Sequence, residues 1–494
     1  MGIIQRQSIQ ALVISYSGAL LGYLNFIVLY PIYLTPEQVG LTRLLIAVSV
    51  LFSQFALFGS SYTLQRFFPY FNDKQKKHYG ILTLMYTIAG SGFVFYGILF
   101  YLFRSSIQSF YEERSSMFNI HYLFTYPIAF FLLVFELAFF YARSLLKTVV
   151  PTFIKEVLLR LLQTVVLFAY VLNWVDFHGF LILFTISYVV HFVVMLIYLA
   201  YLKQLFIAPI RVTGVMSLSK LNRYSLFVYL ASIAAVYTSN IDVIMLGALA
   251  GLEQTAVYSV AFFIATLVII PSRAMNQVSI PIIADAWKKN DIPKLHELYR
   301  KTSINQLLVG GYIYLILWLN IDWMVQLLPM SYASVKWVFL IIGFGRLLDM
   351  ATGINGEIIL YSKHIRFNLA TNIILIIVST ATTLFLIPLY GVIGAAISIP
   401  VAYFTYNSIR MIFLRIVYSI QPFTLQTIKA LVLFCTIAVA INFIPGADGN
   451  PLYPLLLTLP TTILYLFCVI QLKISEEIVG LWNRLISEIR NHKS

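Results

Sequence analysis

Charge is what this sequence has least of. Only 11% of its 494 residues are Asp, Glu, Lys or Arg, where a soluble chain carries about 25%, and so few cannot cover a globular surface of this size. Cysteine is nearly absent: Cys435 and Cys468 are the only two. Each sits inside an apolar run, which excludes a disulfide framework and a zinc pattern and reads as two small core residues. Glycine (24) and proline (17) are not enriched, which excludes a collagen-like or low-complexity chain. No HExxH, GxSxG, Walker A or paired CxxC occurs. The histidines, His78, His121, His178, His191, His296, His364 and His492, have no ligand spacing. What is plentiful is apolar: 60% hydrophobic, 16% aromatic, mean hydropathy +0.88. That composition belongs to a polytopic membrane protein.

Apolar runs long enough to cross a bilayer, about 20 residues, fall at 9–34, 41–66, 79–103, 120–143, 150–172, 179–202, 220–249, 256–280, 303–328, 335–360, 366–388, 391–416, 426–445 and 452–474. These are roughly fourteen spans. The runs are continuous rather than alternating, so they are helices and not barrel strands. The first is too long for a cleavable signal peptide and lacks a small-x-small site.

Basic residues set the orientation. With the N-terminus in the cytoplasm, the inward segments hold Arg6, Lys74, Lys76, Lys77, Arg143, Lys147, Lys155, Lys203, Arg211, Lys220 and Arg223. They go on with Lys288, Lys289, Lys294, Arg300, Lys301, Lys363, Arg366, Arg410, Arg415, Lys429, Lys473, Arg484, Arg490 and Lys493. The outward segments hold Arg43, Arg104, Arg114 and Lys336 beside Glu37, Glu112, Glu113, Asp176, Glu253 and Asp448. Both termini are therefore expected inside. The net charge of +14 is explained by topology and attraction to anionic inner-leaflet lipids, without nucleic acid. The tail 475–494 spaces Ile478, Leu481, Trp482, Leu485, Ile486 and Ile489 on one face behind Glu476 and Glu477, an amphipathic helix on the inner surface. The stretch 291–302 is a shorter version.

An internal repeat is visible. Glu37-Gln38 recurs as Glu253-Gln254, Pro69 as Pro281 and Gly179 as Gly391, at offsets between 212 and 216 residues. A shift of six spans preserves orientation, so the halves are parallel repeats, an arrangement used by transporters. The expected organisation is an N-terminal lobe (1–215), a C-terminal lobe (216–420), a pair of extra spans (421–474) and the amphipathic tail (475–494). The fold class is all-α.

Ionisable groups within spans cost a few kcal/mol each on insertion scales. They are Glu136, Arg160, Asp242, Arg273, Arg346, Asp349 and Glu357, with Arg66 at an inner end. Arginine stays charged and its planar fork matches phosphate oxygens. Arg346, Arg160 and Arg273 thus suit an anionic headgroup, and Arg66 either joins them or snorkels to the interface. Asp349 lies three residues after Arg346, on the same face, so an internal pair competes with a cavity role. Asp242 either binds a coupling cation, Na+ or H+, or a substrate hydroxyl, or it pairs locally. Glu136, seven residues before Arg143, reads as part of a network on span 4. Asn25 is one of the few polar groups of span 1. The abundant Tyr and Phe are assigned mainly to lipid-facing or interfacial positions.

Several segments carry a resemblance. LFGSSYTLQRFFPYF (57–71), NIDVIMLGALAGLEQTAVYSVAFFIATLVIIP (240–271), SIPIIADAW (279–287) and FLIPLYGVIGAAIS (385–398) resemble the polysaccharide and O-antigen-type flippases. These belong to the superfamily of multidrug, oligosaccharidyl-lipid and polysaccharide (MOP) exporters. The resemblance implies two six-helix lobes in a V, alternately open to either side of a bacterial inner membrane. It also implies transfer of a polyprenyl-pyrophosphate-linked glycan to the outer leaflet, where polymerase and export machinery act, with spans 13 and 14 grooved for the lipid tail. Peptidoglycan-precursor flippases carry charges in span 1, which here is uncharged past Arg6, so their arginine cluster does not transfer. The competing readings are a cation-coupled multidrug exporter of the same fold and a membrane glycosyltransferase or polymerase. The last would rely on outward acids such as Glu112 and Glu113. No organic cofactor or resident metal is expected.

Overall fold

A computed structural model describes residues 3–443 and 452–491. The side chains of Arg6, Leu481, Leu485, Ile486, Ile489 and Arg490, and all of Asp448, His492 and Lys493, lie outside the described residues. Among the described residues every regular element is helical. In the first half these are α1 (Ile3–Tyr23, continued by a π-turn at Leu24–Leu29 and Tyr30–Tyr33), α2 (Pro36–Ala56), α3 (Ser60–Phe71), α4 (Ile81–Leu102), α5 (Arg104–Glu112), α6 (Thr125–Ser144), α7 (Leu159–Val171) and α8 (Phe177–Tyr201). Then follow α9 (Leu218–Leu249), α10 (Leu252–Lys289), α11 (Ile292–Gln326), α12 (Val335–Ala351), α13 (Asn355–Tyr361), α14 (Ile365–Tyr390), α15 (Val392–Tyr418), α16 (Leu425–Asn442), α17 (Leu452–Gln471) and α18 (Glu476–Asn491).

Among the described residues twelve helices are long and apolar enough to cross a membrane, or thirteen when the pair bent by 47° at Met330–Ala351 and Asn355–Tyr361 is taken as one span. The remaining expected span, 150–172, is also helical. Its run is split into Val149–Phe153, a π-turn at Ile154–Leu158 and α7, and its first half carries Lys155, Glu156 and Arg160. The expected second span, 41–66, is two helices. Gly59, in the left-handed region at φ 72°, separates α2 from α3, a conformation that costs glycine little. The stretch 291–302 is the opening of α11, capped by Asp291 on the Lys294 amide. With no glycine or proline between Lys301 and the apolar run, nothing stops that helix.

Local signals account for the helix starts. Thr35 and Gln38 form a reciprocal capping box with Pro36 in the first turn of α2, the preferred chemistry for such an end. Glu37 in α2 and Glu253 in α10 both occupy the first turn, where an acid meets the positive helix end.

The chain divides into two compact units, Met1–Ser259 and Val260–Ser494. In the first, α9 packs on α2 and α3 and bonds to α4 although it follows the expected lobe boundary at 215. The contacts are polar as well as apolar: Gln54 Nε2 donates to Ser232 Oγ at 2.8 Å, Thr63 and Ser225 hydroxyls meet at 2.6 Å, and Tyr96 and Tyr229 at 2.9 Å. Lipid gives helices no hydrophobic drive toward one another, so such bonds, about 0.6 kcal/mol each, and close packing hold them. Many aromatics assigned to the lipid face are instead interior. Tyr30, Phe180 and Phe184 are fully buried, and Tyr30, Phe180, Phe184 and Tyr188 form a chain of ring contacts.

In the second unit, α16 and α17 pack on α11 through Leu433, Ile437, Tyr465 and Val469. The cysteines are not core residues as expected. Cys435 is exposed and Cys468 half-buried, because α16 buries only the stripe Thr427, Ala430, Leu433, Ile437 and Ile441. The tail helix α18 docks on α11. Ser475 Oγ donates to Asn305 Oδ1 at 2.7 Å, and Glu477 meets Lys301 at 3.2 Å.

Candidate functional sites

In the first unit, the expected site residues of spans 1, 4 and 5 form a neutralised polar cluster. Arg160 pairs with Glu156 Oε2 at 2.8 Å, and both side chains are less than a third exposed. Span 1 closes over them: a Cβ on Gly22 would lie 2.7 Å from Arg160 Nε. Asn25, fully buried in the π-turn of α1, donates to the Arg160 carbonyl at 3.1 Å and accepts from Thr164 at 2.9 Å. The side chain of Asn25 thus ties span 1 to span 5 through both of its amide atoms. Glu136 is paired as expected but with a different partner, Lys155 at 2.9 Å. Arg143, proposed from its spacing, stacks on Phe139 and Phe140. Helix crossing, invisible in one-dimensional spacing, decides between them.

Asp242 on α9 is buried and accepts from Tyr258 Oη at 2.8 Å. Arg43, assigned to the outward segments, lies inside α2 within electrostatic reach of Tyr258 and Tyr188. Arg66 has a different setting. It is exposed near the end of α3, its guanidinium 4.9 Å from the Tyr224 ring centre.

In the second unit, Arg346 is 9% exposed on α12. It donates to Tyr403 Oη and lies over the rings of Phe262 and Tyr403, 5.1 and 5.3 Å from their centres. No carboxylate pairs with it among the described residues, and its Nε has no hydrogen-bond acceptor. The competing pair with Asp349 does not form. Asp349 accepts instead from Asn407 Nδ2 at 2.9 Å, and Asn407 accepts from Asn355 at 2.8 Å. Glu357 accepts from Asn276, which accepts from Gln306. Arg273 on α10 is exposed and makes no ion pair among the described residues.

Sequence reasoning missed the hub of this unit. Arg410, counted with the inward surface charges, is 4% exposed. It donates to Thr371 Oγ1 at 3.0 Å, to Asn368 Oδ1 at 2.5 Å and to Asn372 Oδ1 at 3.1 Å, and stacks on Tyr406 at 3.8 Å. The signal was present: Asn368, Thr371 and Asn372 share one face of α14 at i, i+3 and i+4, a polar stripe that needs a buried donor. Glu156 was likewise readable from its i, i+4 spacing to Arg160. Among the described residues no group of three or more His, Cys, Asp and Glu could hold a metal ion.

The two units therefore differ. The first pairs Arg160 with Glu156 and Lys155 with Glu136 and carries Arg66 exposed on α3. The second has a satisfied hub at Arg410 and a buried unpaired cation at Arg346.

Residues 5–287 match the family described as polysaccharide biosynthesis protein. No curated protein matches the chain significantly. Among solved structures, the chain is similar to the lipid II flippase MurJ in an inward closed conformation (13% identity, TM-score 0.73, covering 94% of this chain and 98% of that one). It is also similar to an inward-facing multidrug resistance MATE family transporter of the MOP superfamily (14%, TM-score 0.64, 83% and 98%). A third likeness is to a MOP superfamily transporter from Pyrococcus furiosus (16%, TM-score 0.53, 84% and 95%). At these identities the structures show the fold, and the family match covers more than half of the sequence. The chain belongs to the polysaccharide biosynthesis protein family and is a multi-pass membrane protein with the MOP-superfamily fold.

Proposed function

We propose that the protein is a flippase that moves a polyprenyl-pyrophosphate-linked oligosaccharide from the cytoplasmic to the outer leaflet of a bacterial inner membrane, with both termini cytoplasmic. The observation that carries this reading is Arg346, a buried guanidinium with no carboxylate among the described residues. A buried charge without a counter-ion is costly, and a site that keeps one is built for an anion that comes and goes. Its planar fork, steadied by Tyr403 and Phe262, presents donors to phosphate oxygens. Exposed Arg273 supplies a second unpaired cation on another helix. The pyrophosphate head cannot cross hydrocarbon unaided, whereas the tail stays in lipid.

Asp242 is the acid we assign to coupling with Na+ or H+, since it is buried and already holds a hydroxyl donor in Tyr258. The flipped glycan then becomes available to polymerase and export machinery on the outer side. Catalysis is not part of this reading. Glu112 and Glu113 are exposed neighbours at the end of α5, and their alanine variants should leave flipping intact.

The test is leaflet-resolved transport. Purified protein is placed in liposomes with labelled polyprenyl-pyrophosphate oligosaccharides, and a membrane-impermeant glycosidase reports the accessible fraction. Protein-dependent exposure that Arg346→Met abolishes is the expected result. No exposure with any glycan tried, together with efflux of organic cations, would transfer the protein to the drug-exporter class. Glu136 and Glu156 stand against that second reading, because each is already neutralised by a cation.

A further inference from the structure

At the junction of α3 and α9 a solvent-open cavity of about 830 Å³ is lined by Arg66, Lys220, Arg223, Tyr224, Ser217 and Ser219, among others. Three features separate it from an ordinary basic loop. First, its lining includes three cations and no acid, and none of the three makes an ion pair among the described residues. The nearest acid in sequence to Arg66, Asp73, is engaged by Lys76 at 3.7 Å. Second, the cations are carried by structure rather than by loops. α3 and α9 are joined beside the cavity by the Thr63–Ser225 hydrogen bond and by Phe67 edge-on to Tyr224 at 5.2 Å. Arg66 is held over the Tyr224 ring. Third, the hydroxyls of Ser217 and Ser219 have no partner among the described residues. Ser217 stands at the N-terminus of α9 without capping it, so both serines line the cavity at a helix end whose positive pole favours an anion.

Snorkelling accounts for one arginine at an interface. It does not account for three uncompensated cations around one concave site. We propose that this cavity is a binding site for a phosphate or diphosphate group presented at the inner membrane surface. Arg66 and Arg223 supply the guanidinium forks, Lys220 a point charge, and Ser217 and Ser219 the neutral donors. The side is the one that the loop charges Lys74, Lys76, Lys77, Lys203 and Arg211 assign to the cytoplasm. The site lies within the first unit, separate from Arg346. It extends the flippase reading and rests on it only for the direction of traffic. The same phosphate chemistry is offered by an anionic phospholipid of the inner leaflet.

The experiment uses the full chain in nanodiscs of zwitterionic lipid, with inorganic pyrophosphate as the first probe. Arg66→Gln/Arg223→Gln should weaken pyrophosphate binding at least tenfold. Lys288→Gln, an exposed lysine on α10 without an ion pair, should leave it unchanged. A parallel arm places the protein in nanodiscs containing phosphatidylglycerol and counts retained lipid by native mass spectrometry. Lipid lost in the double variant without any pyrophosphate binding in the wild type would support the site and name the leaflet lipid as its source. Equal pyrophosphate affinity and equal lipid retention in wild type and double variant would overturn the proposal, as would equal loss in Lys288→Gln. An unchanged thermal unfolding midpoint establishes that the double variant is folded. Because binding is read without transport, failure here is distinguishable from failure of flipping.

Discussion

Two arginines of the second unit give opposite expectations, and the contrast tests the assignment of Arg346. Replacing Arg410 by Met removes the donor for Thr371, Asn368 and Asn372 and takes it from one buried hydroxyl and two half-buried amide oxygens. Deleting one member of such a network costs about 3–5 kcal/mol. Replacing Arg346 by Met removes one hydrogen bond to a neutral hydroxyl, about 1.5–3 kcal/mol for a charged donor, and cation–π contacts worth about 1–2 kcal/mol. It also relieves the desolvation of an unpaired buried charge, several kcal/mol in the opposite direction. The net change should lie within about 2 kcal/mol of zero. Transport behaves the other way round. A charge-assisted contact to pyrophosphate worth about 1.5–3 kcal/mol corresponds to a loss of roughly 10- to 150-fold in apparent affinity. The assay is paired: thermal aggregation followed by fluorescence-detected size exclusion, and initial flipping rate against substrate density in proteoliposomes. Arg346→Met should hold its midpoint and lose transport, while Arg410→Met should lose its midpoint first. If Arg346→Met unfolds as early as Arg410→Met, and its transport falls only in proportion to folded protein, Arg346 is a structural residue and the headgroup assignment is wrong.

Four further outcomes are expected. Arg160→Gln should impair yield more than the Glu156→Gln/Arg160→Gln double variant, because the double change removes the pair instead of stranding an acid; a worse double variant would exclude a structural pair. Gly40→Ala drives a Cβ into the Leu252 carbonyl and should destabilise by about 1–3 kcal/mol, whereas Gly90→Ala, with open space around it, should be silent in the same aggregation assay. Burial pushes the Glu477 carboxyl up, but a backbone amide of its own helix, Asn305 and Lys301 outweigh it and hold it below the usual range. Its contribution to tail docking is therefore complete above about pH 4.5, its ordinary value, and fades as pH falls through the lowered one; hydrogen exchange in α18 should rise there in wild type and show no such step in Glu477→Gln. Asp242→Asn should remove the dependence of flipping on an imposed Na+ or pH gradient, and an unchanged dependence would free Asp242 from the coupling role.

Helical class and family were legible because each rests on composition, run length and motif, and of the roughly fourteen expected spans twelve or thirteen are long and apolar enough among the described residues. Fourteen apolar runs and a consistent set of motifs leave few alternatives. What failed depended on rotation about a helix axis and on which helices cross. Glu136 sits at a plausible spacing from Arg143, yet the helix that crosses it brings Lys155. Asp349 shares a face with Arg346 but turns to Asn407. Arg410 looked like a loop charge because it stands near the end of an apolar run, and only the opposing Asn368–Asn372 stripe shows that it is interior. Arg66 was legible as a cation at a helix end. Its companions Lys220 and Arg223 follow roughly 150 residues later, and their meeting is a property of the fold.

The bend between α12 and α13 has a consequence for biogenesis. α13 is only seven residues long, too short to insert on its own, so the bent pair must enter the bilayer in one step. At that moment Arg346, Asp349 and Asn355 have not met the groups that satisfy them, since Tyr403 and Asn407 lie on α15, two helices later in the order of synthesis. A ribosome that stops before residue 403 would leave three polar side chains without those partners in hydrocarbon. The second unit can therefore seal only after α15 has arrived, and the insertion machinery must shelter the bent span until then.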